Sequence, residues 1–412
     1  MNRLRTTALL GGCALLAGVG AVQAGGFARG TADTDIIFEE GNFNMRAGVT
    51  FVSPQRGYET ITTHPGLGGT GSPEKTSDSD HVDGYAVPSI AVKFNLSDDL
   101  RCAGTYTQSF GAGATYGPDA ITAGLIDGTG TISEGFESNE FGATCGYKFD
   151  LSKGRVWLIG GAFAQDFSYQ QVVRFAPGLP FPSGGTGTLS FDDDWRAGYR
   201  VGVAYEIPEI AMRAQLMYRS AVTHSPSGGP GDTFVVKLPN GTTVASFPTD
   251  GEGTLPQSLE LKVQSGIAPG WLAFGSVRWT DWSVLDVLTY NIQGVPVNPR
   301  VLEYYYEDGW TVSAGIGHAF NETVSGSVGL SWDKGVSTTE DALTDTYTVF
   351  AGVSLRDKIG GELRAGAALS YLTSGSVDAD PTPLTPGPGN SFAYTVGDDW
   401  SVAGTLSYAI NW

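Results

Sequence analysis

The stretch DDWSVAGTLSYAINW, from Asp398 to Trp412, alternates apolar with small polar residues along its length. Such period-two alternation predicts a β-strand with one apolar face. The apolar face also carries tryptophan at both ends, Trp400 and Trp412. Strands of transmembrane barrels place aromatic rings in this way, at the two lipid–water interfaces. A strand of a soluble sandwich would show the same alternation, so the fold depends on how often the pattern recurs.

The pattern recurs from Met45 onward, and two kinds of connection separate the repeats in strict turn. Short turns alternate with long loops that are rich in Gly, Pro, Ser and Thr. An even number of strands with turns on one side and long loops on the other is typical of bacterial outer-membrane barrels. We therefore predict an all-β fold, a 14-stranded antiparallel transmembrane β-barrel over residues 45–412, with both termini on the periplasmic side. The predicted turns are 97–99, 151–154, 207–209, 268–270, 320–322 and 357–360, and the predicted loops are 60–84, 111–135, 174–188, 223–253, 285–300, 335–342 and 373–398.

The amino-terminus predicts export. Arg3 and Arg5 precede an apolar core at 8–22, and a small-residue cleavage site ends at Ala24, so residues 1–24 are predicted to be a signal peptide. No later apolar run approaches the roughly 18 residues that a membrane helix needs. The chain has 24 Lys and Arg against 43 Asp and Glu, which argues against nucleic acid as a partner. We expect the mature protein in the outer membrane of a Gram-negative bacterium, in contact with its lipids and lipopolysaccharide.

The segment Gly25–Asn44 does not follow the strand pattern. It is apolar for a tail, because it holds Phe27, Phe38 and Phe43 besides two isoleucines. A segment of this size before the first strand of a barrel can fold back to fill the lumen, or it can hang loose. We favour a lumenal hatch over a disordered tail. The residues expected to build this hatch are Gly25, Gly26, Phe27, Phe38 and Phe43.

Several blocks of the sequence resemble the outer-membrane long-chain fatty acid transporter family, the FadL/TodX type. These blocks are Gly25-Gly26-Phe27, the first strand from Arg46 to Pro54, Leu255-Pro256-Gln257, and the strand that closes on Trp279-Thr280-Asp281-Trp282. The resemblance implies a 14-stranded monomeric barrel, an amino-terminal hatch and passive uptake of hydrophobic molecules. Many relatives carry Asn-Pro-Ala in the hatch, and residues 38–43 have none. For a bend in the third strand, the sequence offers only Gly104.

Two long loops place apolar side chains where water is expected, and exposed apolar surface usually marks a binding patch. By the resemblance, these loops form the family's outer capture groove. The alternative is that 234–236 and 243–247 form a hairpin around Pro239-Asn240-Gly241-Thr242 and pack on each other. The candidate groove residues are Phe175, Leu179, Phe181, Phe234, Val236 and Phe247.

Four basic residues on consecutive strands are expected to point into the lumen by strand parity. These are Arg200, Arg219, Lys262 and Arg278, and a ligand carboxylate held there would place its tail against Leu272 and Phe274. The alternative is that acidic residues such as Glu206 and Glu260 pair with these bases and stiffen the wall. Barrel shear decides whether the bases lie at one height, and the sequence does not give the shear.

The remaining candidates are few. Cys102 and Cys145 fall on neighbouring strands with the same parity, so they are expected to form a disulfide in an oxidising compartment, unless they remain free thiols one register apart. The four histidines lack metal-ligand spacing, and there is no Gly-x-Ser-x-Gly elbow, so we expect no enzyme, metal or cofactor. The leading interpretation is a channel for passive uptake of fatty acids or other hydrophobic compounds. A general diffusion porin for small polar solutes and a surface protein whose loops bind a partner are the alternatives.

Overall fold

The computed structural model describes residues 26–63, 69–78, 80–126, 128–178, 181–294, 299–338, 342–358, 360–378 and 392–412. The signal peptide, Gly25 and Leu179 lie outside them. Fourteen antiparallel strands pair in chain order, and the last pairs with the first, so the sheet closes into a barrel. The predicted fold and strand count are confirmed. The strands are β1 Phe43–Gln55, β2 Tyr85–Asn95, β3 Leu100–Thr115, β4 Thr129–Asp150, β5 Arg155–Phe175, β6 Thr186–Ile207, β7 Met212–Arg219, β8 Ser258–Ala268, β9 Trp271–Thr280, β10 Gly309–Ala319, β11 Val324–Asp333, β12 Thr346–Arg356, β13 Gly361–Leu372 and β14 Asp399–Asn411.

Strand parity separates the two faces of the wall as the alternation predicts. In β14, Trp400, Val402 and Leu406 are 49%, 49% and 52% exposed, whereas Ser401 between them is 0% exposed. The apolar side chains therefore face outward, and the small polar side chain faces the lumen. Among the described residues, no helix is long and apolar enough to cross a membrane.

The long loops build a second layer above one rim of the barrel. β4, β5 and β6 have 22, 21 and 22 residues, about twice what crossing a bilayer requires, so they project beyond it. The hairpin Thr233–Lys237 and Thr243–Leu255 pairs with the projecting end of β6. Helix α1, Pro118–Leu125, links β3 to β4. In the same layer, the strands Tyr58–Thr63, Glu74–Lys75, Gly375–Val377 and Phe392–Val396 form a small separate sheet, which packs against α1.

Residues 26–42, called the hatch from here on, lie inside the barrel. A 3-10 helix, Thr34–Phe38, buries Ile36 and Ile37 so that they are 1% and 0% exposed. Together with Phe38 they pack on wall residues Ala91, Ala103, Trp157, Ile159 and Ala204.

Cations of the wall hold the carboxyl end of the hatch. Lys93 Nζ donates to the carbonyl oxygens of Glu39 and Gly41 at 2.7 and 2.8 Å. Arg101 donates to the carbonyl oxygens of Ile37 and Glu39, both at 3.1 Å. These cations satisfy main-chain oxygens that would otherwise be unpaired inside the lumen.

Phe43 does not belong to the hatch, contrary to the sequence-based expectation. It is the first residue of β1, which begins two positions earlier than predicted. Its ring stacks on Trp412 at 5.5 Å and meets Phe94 edge-on at 5.1 Å, and both partners are exposed on the outer face. Phe43 thus joins an aromatic cluster at the turn-side rim, because strand parity turns it outward.

The irregularity in β3 lies at Gln108–Phe110, not at Gly104. Gly104 sits in regular register with Val92 and Ala143. Pairing of β3 with β2 runs up to Thr107, and the register with β4 shifts between Gln108 and Phe110. There the hatch takes the place of β2, since the Arg29 and Gly30 N–H groups donate to the carbonyl oxygens of Ser109 and Gln108 at 3.0 and 2.9 Å. A β-bulge with the hatch as its partner therefore bends the strand.

The two cysteines are directly opposite each other in the β3–β4 register. The structure joins Cys102 to Cys145 by a disulfide, with the Cα atoms 4.0 Å apart. The bond lies on the regular part of β3, below the bulge.

Candidate ligand-binding cavities

The larger cavity of the described structure lies between the hatch and the loop layer. This outer cavity has a volume of about 390 Å³, within the range of small-molecule sites. Thirteen aromatic side chains line it, together with polar and charged side chains such as Arg56, Glu134 and Lys334. The aromatic residues are Phe27, Tyr58, Tyr85, Tyr116, Phe136, Phe167, Tyr169, Phe191, Trp282, Tyr290, Tyr304, Phe392 and Tyr394.

Phe27 of the hatch contributes to the wall of this cavity. Its ring meets Phe136 edge-on at 5.2 Å and Trp282 edge-on at 5.9 Å. Gly26 before it has a φ of +65°, and a side chain there would fall 2.5 Å from the Trp282 ring. Position 26 therefore requires glycine, because both the backbone conformation and the close approach exclude a side chain.

The polar groups of the outer cavity are mostly tied to the protein. Arg56 donates to the carbonyl oxygens of Ala342 and Thr373 at 2.9 and 3.1 Å and thereby holds two loops together. Glu134 accepts from the Tyr116 hydroxyl and from Gln171 at 3.3 Å. The charged groups of Arg56 and Glu134 are thus bound to other protein groups around the cavity.

Two histidines also line the outer cavity. The His81 ring stacks on the rings of Tyr58 and Tyr116, with centroids 4.4 and 5.6 Å away. Burial together with the Arg56 charge lowers the pKa of His81 to about 4. His224 is 2% exposed and its Nδ1 lies 3.0 Å from Asp193 Oδ2. Burial lowers the pKa of His224 below its ordinary value, although Asp193 acts in the opposite direction. Both rings are therefore neutral at pH 7.

The expected capture groove is closed in the structure. Phe175, Phe234 and Val236 are 2%, 7% and 1% exposed, and Phe181 and Phe247 pack against them. The hairpin alternative explains this burial, since Phe234 pairs with Phe247 while the same strand pairs with β6. The expectation of apolar side chains facing water is wrong for the three buried residues. Their neighbours Leu189 and Phe191 line the outer cavity instead.

A second, inner cavity of about 80 Å³ lies between the hatch and strands β6 to β9. All four predicted lumenal cations line it. Arg200 and Arg219 both bind Glu140, with 2.8 Å between Arg219 Nη2 and Glu140 Oε2. Barrel shear thus brings these bases together.

The other two lumenal cations bind acids as well. Arg278 and Lys262 bind Glu260 at 2.9 and 3.5 Å, and Lys262 also reaches Asp35 of the hatch at 3.2 Å. The cations are paired, as the alternative interpretation of the sequence expected, and Glu260 is one of the partners it named. Glu206, the other, pairs with Arg155 at 2.8 Å instead. Glu140 and Asp35 were missed, because a partner 60 or more residues away leaves no local signal.

Leu272 and Phe274 do not line the inner cavity. Leu272 is 0% exposed, and Phe274 packs with Val52 and Phe350 on another part of the wall. Strand parity predicts their lumenal direction correctly, but it does not predict which lumenal neighbours they meet. Trp282 was also missed as a site residue, although it closes the Trp-Thr-x-Trp block.

A closed 14-stranded barrel with an apolar outer face, a hatch in its lumen and an aromatic cavity beneath its loops defines an outer-membrane channel. The family model described as outer membrane protein transport protein (OMPP1/FadL/TodX) matches residues 43–345, and the chain belongs to this family. Its members are outer-membrane transport proteins of Gram-negative bacteria. The predicted family, location and transport function are confirmed, over a general diffusion porin.

Curated relatives and solved structures agree with this assignment. The long-chain fatty acid transport protein of Salmonella typhi is 24% identical over 336 residues, which are 66% of this chain and 75% of that protein. The protein of the same name from Escherichia coli O6:H1 is 24% identical over 364 residues, 73% of this chain and 78% of that one.

Among solved structures, a Pseudomonas aeruginosa FadL homologue superposes with a TM-score of 0.71 at 15% identity, covering 96% of this chain and 97% of the other. The P. putida toluene transporter TodX superposes with a TM-score of 0.57 at 15% identity, covering 92% of each chain. At such identities the likeness concerns the fold alone.

Proposed function

We propose that this protein lets apolar small molecules, of the size of aromatic hydrocarbons or fatty-acid chains, diffuse through the outer membrane. The outer cavity carries this proposal, because thirteen aromatic side chains enclose about 390 Å³ next to the hatch. Burial of apolar area supplies affinity without directional contacts, so the cavity accepts ligands of several shapes. The proposal includes no chemical step, and the barrel acts as a monomer.

The hatch separates the outer cavity from the turn-side rim, so a ligand leaves only when the hatch moves. The hatch helix is joined to β8 by the ion pair of Lys262 with Asp35 at 3.2 Å, and a shift of the hatch would break this pair. Deleting residues 26–42 should raise the ion conductance of the protein in a planar bilayer. Unchanged conductance would contradict the plug.

Transport itself is tested with the purified full-length protein in liposomes. Entry of p-xylene should saturate with concentration, whereas entry of a pentose of similar size should match that of empty liposomes. A pentose flux as large as that of p-xylene would contradict the proposal, because an apolar cavity gives no affinity for a polyol.

A second candidate ligand is a fatty acid whose carboxylate reaches the inner cavity. Within the described cluster, four cations face Glu140, Glu260 and Asp35, which leaves one positive charge in excess. Lys262 is the most accessible of the four, with its side chain 32% exposed against 4% for Arg200. A carboxylate would compete with Asp35 for Lys262 and so remove one of the contacts that hold the hatch.

This second candidate is tested by comparing dodecanoate with dodecane. Lys262→Gln should weaken dodecanoate binding about tenfold, because it removes one charge-assisted hydrogen bond, and should leave dodecane unaffected. Equal losses for both ligands would show that the lumen selects apolar shape alone.

A further inference from the structure

His224 is one of the polar side chains that line the outer cavity. It ends the short strand Val222–His224, which pairs with the loop hairpin through Gly253. Its ring stacks on Phe167 with the centroids 5.5 Å apart. Strand pairing and stacking together fix the ring, so the direction of each nitrogen is set by the fold.

The proton of His224 is assigned by its partner. Asp193 Oδ2 lies 3.0 Å from Nδ1 and also accepts from the Ser225 N–H at 3.2 Å and from Arg196 Nε at 2.9 Å. A carboxylate that receives these donors is ionised and can only accept, so Nδ1 carries the hydrogen of the neutral ring. Nε2 is then a lone-pair acceptor.

Nε2 has no hydrogen-bond partner in the described part of the chain, and it is buried. Native proteins seldom leave such an acceptor unpaired, because its desolvation is not compensated. Arg196 binds Asp193, and Asp193 holds Nδ1. The protein thus orients Nε2 as an acceptor and leaves it for a donor from elsewhere.

We propose that the outer cavity binds apolar compounds that carry one hydroxyl group, of the phenol or long-chain alcohol class, with the ligand O–H donating to His224 Nε2. This inference deepens the proposed function and depends on it. A hydrocarbon of the same shape fills the cavity but leaves Nε2 unpaired. A carboxylate has no hydrogen to donate, and its lone pairs would repel the lone pair of Nε2.

The test compares p-cresol with p-xylene, in which a methyl group replaces the hydroxyl at nearly constant shape. Both are titrated into the purified full-length protein in detergent. His224→Phe keeps an aromatic ring on Phe167 but removes the acceptor. It should weaken p-cresol binding about five- to tenfold and leave p-xylene within about twofold, as expected for one buried neutral hydrogen bond.

His318→Phe is the matched control, because His318 stacks on Trp271 near the turn between β10 and β11 and does not line the cavity. It should change neither affinity. The heat-modifiable gel band of each variant verifies folding. If p-cresol and p-xylene lose affinity equally in His224→Phe, or neither loses any, the hydroxyl site is wrong while the apolar cavity stands. If the unmodified protein binds neither compound, the proposed function is wrong as well.

Discussion

The outer and inner cavities are neighbours in one lumen, yet they are built from opposite kinds of side chain. Aromatic rings enclose about 390 Å³ in the outer cavity, whereas four cations and their acids surround about 80 Å³ in the inner one. The hatch contributes to both, with Phe27 in the first and Asp35 bound to Lys262 beside the second.

The two cavities are therefore suited to different tasks, the outer one to binding ligands and the inner one to holding the wall and the hatch together. Burial of apolar area is non-directional, so an aromatic cavity can hold varied ligands without fixed geometry. Buried ion pairs act in the opposite way, since each is favourable only in one geometry and is costly when one partner is lost. The outer cavity is thus suited to bind apolar ligands. The inner cluster is suited to hold the wall and the hatch in one arrangement.

The largest effect is expected from replacing Glu140, the acid that two cations share. Glu140→Gln leaves Arg200 and Arg219 without their carboxylate. The loss should be large because all three side chains are at most 17% exposed. The free energy of unfolding in urea should fall by about 3–5 kcal/mol. Glu307→Gln is the control, because its pair with Lys334 is exposed and should contribute less than about 1 kcal/mol. Equal small losses would mean that the inner cluster is hydrated.

The outer cavity is tested by removing the Phe27 ring, which the hatch contributes to its wall. Phe27→Ala removes a side chain that contacts Phe136 and Trp282, and p-xylene should bind about ten- to a hundredfold more weakly because about 1.5–3 kcal/mol of apolar burial is lost. Phe43→Ala is the matched control, since that ring lies outside the barrel. Calorimetric titration measures both. Weakening by Phe43→Ala as well would contradict the assignment of the cavity.

The neutral His81 ring of the outer cavity should make stability depend on pH. The pKa of His81 is about 4 in the folded protein, against 6.5 when unfolded, so the unfolded chain binds the proton first as the pH falls. His81 should therefore lower stability by about 1–2 kcal/mol between pH 6.5 and pH 4 and have no effect above pH 7. Urea unfolding at several pH values checks this, with His81→Gln as reference. Parallel pH profiles for both proteins would contradict a buried neutral ring.

The smallest expected effect concerns the outer wall below both cavities. If Cys102 and Cys145 form the disulfide in the membrane, a thiol reagent should label neither in the denatured, unreduced protein and both after reduction. Mass spectrometry counts the labels. Two labels before reduction would show free thiols, and the β3–β4 pair would then depend on main-chain hydrogen bonds alone.

Local patterns in the sequence are sufficient to predict the wall of the barrel. Alternation of side chains and the length of each connection are local properties, so they predict fourteen strands, their inward and outward faces and the two rims. The same local reasoning identified the hatch segment, and it placed Arg200, Arg219, Lys262 and Arg278 in the lumen.

The contacts between lumenal side chains, in contrast, depend on the tertiary structure. Glu140 binds two arginines that lie 60 and 79 residues further along the chain, and His224 binds Asp193 across 31 residues. The apolar loop residues chosen as a groove became core, because a hairpin paired with β6 and turned them inward. Phe43 lies on the outer face of the barrel and not in the hatch. The irregularity in β3 lies at Gln108–Phe110 and not at Gly104. Shear, register shifts and loop packing set these contacts, and they arise when the sheet closes, which no single stretch of sequence encodes.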